Sequence, residues 1–75
     1  MSKPSSTSLD VVNALCRELV RLARREEDAA ATEAARTPYW SPCPPTVEGH
    51  RAAARVLWAD VARLETEARG LSLAS

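Results

Sequence analysis

The sequence predicts an all-α fold, a long antiparallel two-helix hairpin that pairs with a second copy into a four-helix bundle. Three observations carry this. Val47, His50, Ala54, Leu57, Val61, Leu64, Ala68 and Leu71 follow one another in alternating steps of three and four, which places them on one helix face with His50 as the only polar member. Four of the five prolines fall within Thr37–Thr46, a segment that cannot be helical through its middle. The charges before and after that segment mirror each other, so folding back sets opposite signs side by side.

The chain has 75 residues, enough for one domain. A chain this short buries only about 60% of the surface its unfolded form exposes. Aromatic residues make up 4%, Phe is absent, and the apolar content is mostly Ala, Leu and Val. Ala favours helix but adds little buried area, so oligomerisation is the expected remedy. Formal net charge is zero and the pI is near 6.6, which gives no global attraction to nucleic acid or anionic membrane. Apolar runs are short and no apolar segment follows Met1–Pro4, so neither a signal peptide nor a membrane span is expected, and the chain is assigned to the cytoplasm. Lys3 is the only lysine among ten basic residues, a bias expected of a high-GC genome.

Residues 1–7 are polar and lack periodicity, and are read as a disordered tail. The hairpin then occupies 8–71. Thr7 or Ser8 offers an N-cap with Asp10 against the helix dipole, so the first helix is expected from about Leu9, within 8–37. Its stripe is Val12, Leu15, Cys16, Leu19, Leu22 and Ala23, continued by Ala29 and Ala30. Pro38 ends it after about 40 Å. The connector is 38–46. Thr46 is the expected cap of the second helix, 47–70, with Glu48 near its positive end and Gly70 as its stop, leaving 72–75 as a tail. The second rod is about 36 Å long, matched to the first.

The charge argument for an antiparallel pair rests on Arg17, Arg21, Arg24 and Arg25 followed by Glu26, Glu27, Asp28 and Glu33, against Arg51 and Arg55 followed by Asp60, Glu65 and Glu67. Within helices, Arg24–Asp28, Arg63–Glu67 and Glu65–Arg69 have pairing distance.

Val11, Val20, Ala52, Val56, Trp58 and Ala59 are apolar but lie off the stripes. Val56 and Trp58 are therefore read as part of a contact surface, since a Trp left on a helix flank calls for cover; the competing reading is that Trp58 simply shields the edge of the hairpin. Tyr39 and Trp40, held between Pro38 and Pro42, form the second candidate: stiff backbone and adjacent rings give a large contact area at low entropic cost. The competing reading folds both rings over the end of the hairpin, with Trp40 capping and Tyr39 partly exposed.

Cys16 reads as a small buried apolar residue and Cys43 as a connector thiol, too far apart for a disulfide. His50 is expected near Glu33 and the Cys43 loop. Neither residue belongs to a metal-ligand spacing, and no cofactor, metal or catalytic set is expected. The function class that follows is a small non-enzymatic protein-interaction module, an adaptor or regulator, partnering itself and another protein through Tyr39, Trp40, Val56 and Trp58. The alternative is a dimeric nucleic-acid-binding regulator that uses Arg17, Arg21, Arg24 and Arg25 on phosphates.

Overall fold

Two helices account for nearly all of the chain. The computed structural model describes the backbone of residues 4–74 and the side chains of residues 8–73. Helix α1 runs Pro4–Arg36 and helix α2 runs Pro45–Ala74, with no strand among the described residues. They pack on each other as a hairpin, because contacts pair Glu33 with Thr46, Glu26 with His50, and Glu27 with Trp58. Glu33, near the connector, meets Thr46 at the start of α2, while Glu26 and Glu27, about two turns further from the connector, meet residues further along α2, which is the antiparallel arrangement.

Both helices exceed their sequence-based bounds. Helix α1 starts at Pro4, not near Leu9: Pro at the first helical position lacks only an N–H that would have no intrahelical partner, and nothing in Ser5–Ser8 interrupts the turn. Of the expected tail, residues 1–3 lie outside the described part. Helix α2 passes through Gly70, which keeps a negative φ and so does not form a left-handed stop. It begins at Pro45 rather than after Thr46. The Val47 N–H donates to the Pro44 carbonyl at 3.0 Å, while the Thr46 hydroxyl leaves the cap and donates across the hairpin to Glu33 Oε1. Thr37 closes α1, its N–H donating to the Ala34 carbonyl at 3.1 Å and its hydroxyl to the Glu33 carbonyl at 2.9 Å.

The α2 face holds as read: Val47, Ala54 and Val61 are buried, and His50, Leu57, Leu64, Ala68 and Leu71 are half-buried. On α1 the matching seam is Leu9, Val12, Cys16, Leu19, Ala23, Glu26, Ala30, Glu33 and Thr37, all buried or half-buried and again in steps of three and four. Leu15 and Leu22, expected in that stripe, stand beside it instead. Two carboxylates therefore occupy seam positions. Each meets a polar group of α2, Glu26 the ring of His50 and Glu33 the hydroxyl of Thr46, so neither is buried alone.

The charge reading needs correction. Ion pairs between arginine and carboxylate lie within helices at i, i+3: Arg21–Glu18 at 2.5 Å, Arg51–Glu48 at 3.0 Å and Arg63–Asp60 at 2.6 Å. None joins the helices among the described residues; Arg17 and Arg25 line the grooves between the helices without pairing to an α2 carboxylate. Arg24–Asp28, Arg63–Glu67 and Glu65–Arg69 do not form; Arg63 turns to Asp60, and Arg69 donates to the Thr66 hydroxyl at 3.2 Å.

The result is a rod of 62 × 15 × 12 Å with a radius of gyration of 17.3 Å. A compact chain of this length would have about 11 Å.

Candidate functional site

The connector turns through Pro38–Ser41, where the Ser41 N–H donates to the Pro38 carbonyl at 3.0 Å. Pro44 and Thr37 are half-buried and Val47 is fully buried beneath them, so the end of the hairpin is closed without the aromatic rings. Tyr39 is 95% exposed and Trp40 74% exposed, which corrects the expectation that Trp40 caps the core. The rings hold each other edge to face, with centroids 5.1 Å apart and planes at 84°. Two large apolar side chains thus stand largely exposed at the tip of the rod, in contact with each other.

Val56 and Trp58 do not form one surface. Val56 is 63% exposed on the outer face of α2, turned away from α1. Trp58 is half-buried at the edge of the seam, and its Nε1–H donates to Glu27 Oε2 at 3.0 Å, which ties it to α1. Glu27, Glu26 and Thr46 are the partners that sequence reasoning missed. The available signal was the step of three from Ala23 to Glu26, and again from Ala30 to Glu33, which an apolar count passes over.

His50 lies 2.5 Å from Glu26 through Nδ1, not beside Glu33 and the Cys43 loop as expected. Glu26 sits about two turns further from the connector than Glu33, and that is where the steps from Val47 carry His50. Cys16 and Cys43 are both free, the first half-buried and the second exposed. Among the described residues, no group of three or more His, Cys, Asp or Glu side chains is placed to hold a metal ion. No helix is long and apolar enough to cross a membrane.

Arg17, Arg21, Arg24 and Arg25 are all exposed on α1, with Arg25 bordering one groove between the helices and Arg17 the other. Glu18 and Asp28, also exposed, lie among them. Arg21 is held by Glu18, whose carboxyl lies below its ordinary value of 4.5 through the hydrogen bond and charge of Arg21.

The two faces of the hairpin differ. One carries an open groove bounded by Leu22, Arg25, Glu26, Ala29, His50 and Leu57, with Leu15 49% exposed and Val11 53% exposed along the same side of α1. The other carries a groove among Asn13, Cys16, Arg17, Glu65, Ala68 and Arg69, with Trp58 further along held by its hydrogen bond to Glu27. No family model, curated protein or solved structure matches this chain.

Proposed function

We propose that this protein is a small non-enzymatic interaction module, a cytoplasmic adaptor or regulator that presents the Tyr39–Trp40 pair to another protein and pairs with a second copy of itself along its helices. The observation that carries the reading is the exposure of both rings on a proline-stiffened turn that closes its own core without them. Such a turn has already lost much of the conformational entropy that binding would otherwise remove, and Tyr and Trp supply large contact area through few rotatable bonds. Two free thiols fit a reducing compartment.

The test uses the full chain as bait in extract of its native host, beside a Tyr39→Ser/Trp40→Ser variant. Rings that cover nothing can be replaced with melting shifted by less than about 0.5 kcal/mol, while specific proteins captured by the native chain are lost. Equal capture by both baits would remove the connector from recognition. Nucleic acid is tested in parallel at low salt. Duplex binding that weakens steeply with salt, and vanishes when Arg21, Arg24 and Arg25 become Glu, would favour the arginine patch instead.

A further inference from the structure

The hairpin exposes more surface than its mass accounts for. A compact monomer of 8.1 kDa has an accessible surface of about 4,500 Å². This one exposes 5606 Å². The surplus, about 1,100 Å², is at least what one partner loses in a standard protein interface.

That surplus belongs to the rod as a whole, and part of the exposed apolar surface, at Val11 and Leu15, lies in one row. Beside the seam, α1 carries a second row in steps of four and three: Val11, Leu15, Glu18, Leu22, Arg25 and Ala29. The row is nearly self-complementary about Leu22. Turned end for end, it sets Leu22 on Leu22, Leu15 on Ala29, and Glu18 on Arg25. Among the described residues Arg25 has no carboxylate partner within the protomer, although it borders the groove with Leu22 and Leu57. Leu57 faces the same groove at the same level, so α2 also presents a leucine at the point about which the row is symmetric.

We infer that this face, and not the one carrying Trp58, receives a second copy of the chain. The two copies lie antiparallel about a twofold axis through the level of Leu22 and Leu57, α1 on α1 and α2 on α2, with Glu18 of each, already held by its own Arg21, shared with Arg25 of the other. The inference rests on the self-pairing in the proposed function and specifies its surface. An isologous interface needs one patch that complements itself when rotated, and a row reading apolar, acid, apolar, base, apolar meets that need. Zero net charge leaves no overall repulsion between copies. Both aromatic tips stay free, at opposite ends.

Sedimentation equilibrium on the full chain tests this, with circular dichroism to follow helicity. The native protein is expected at twice 8.1 kDa. Leu15→Glu/Leu22→Glu is expected to sediment as a single chain, its association weakened at least about 100-fold by charge placed at the centre of the patch. Because that variant could also unfold, the surface pair decides independently. Arg25→Glu weakens association by about tenfold, and adding Glu18→Arg restores it to within about threefold. Ala59→Glu, on the outer face of α2, changes nothing. A native protein that stays single at about 100 μM would overturn self-pairing altogether. A native dimer that withstands both Leu15→Glu/Leu22→Glu and Arg25→Glu would keep self-pairing and overturn this face.

Discussion

The half of the hairpin next to the connector and the half next to the chain ends close the same seam by opposite means. Near the connector the seam is Ala23, Glu26, Ala30 and Glu33 against Val47, His50 and Ala54. Its small side chains are 0 to 3% exposed, and its polar members are paired across the helices. Near the chain ends it is Leu9, Val12, Cys16 and Leu19 against Val61, Leu64, Ala68 and Leu71, where only Val61 is buried. Fractional burial and buried area thus part company. An alanine disappears completely while contributing little, whereas a half-covered leucine contributes more and still leaves surface that another layer could use. The first half specifies which residues face each other; the second supplies more of the driving force and asks for cover.

Substitutions that change size in opposite senses break the two halves differently. Leu57→Ala and Leu64→Ala should each cost about 2 kcal/mol, at the low end for buried leucine because both are only half-buried. For a chain this small, thermal melting followed by circular dichroism should show a large drop or no cooperative transition. Unchanged melting in both variants would mean that the leucine seam does not hold the helices together. In the connector half the damaging direction is the reverse. Ala30→Leu, at 3% exposure, should destabilise by about 1 to 3 kcal/mol through overpacking, although it adds apolar surface. A stabilised Ala30→Leu protein would show room in that half for bulk.

The polar layer gives a subtler separation. His50→Leu alone leaves the Glu26 carboxylate without its partner in the seam and should cost about 1 to 2 kcal/mol. His50→Leu with Glu26→Leu should recover most of that loss, since an apolar pair replaces a polar one. If the double variant is as unstable as the single, the layer contributes net stability and not only alignment.

The smallest expected effect is at Glu18, in the leucine half. Its carboxyl is held below the ordinary value by the Arg21 hydrogen bond, so the folded helix favours the ionised form more than the unfolded chain does. The contribution is therefore complete above the ordinary value of 4.5 and fades as pH falls through the lowered one. In the single-chain Leu15→Glu/Leu22→Glu background, where Glu18 meets no second copy, Glu18→Gln should remove that acid-side dependence from melting curves while leaving neutral-pH behaviour nearly unchanged, because the pair is solvent-exposed within the protomer.

Much of this was legible before the structure. The α2 repeat from Val47 to Leu71 named every seam residue of that helix, because seven of its eight members are apolar. The α1 seam was harder to see. Glu26 and Glu33 occupy positions that an apolar count skips, and Leu15 and Leu22 are apolar but belong to the neighbouring row. Only the register with α2, which places His50 and Thr46 opposite those carboxylates, tells seam from flank. The helix ends slipped for a different reason: a proline is tolerated at the first helical position, where Pro4 stands, and Gly70 keeps a negative φ and so enforces no stop. The aromatic connector offered two roles with equal chemistry, and the choice depended on whether Thr37, Pro44 and Val47 closed the end of the hairpin by themselves.

The slender shape also governs how the molecule moves through water. A radius of gyration of 17.3 Å is what a compact globule of about 230 residues would have, three times this chain's length. Its friction is accordingly that of a larger body. A single hairpin on a sizing column should emerge among globular proteins well above its own mass, and an antiparallel pair of the same length should emerge only slightly earlier. Elution volume here reports length, and the number of chains in the particle is visible only to a measurement that weighs it.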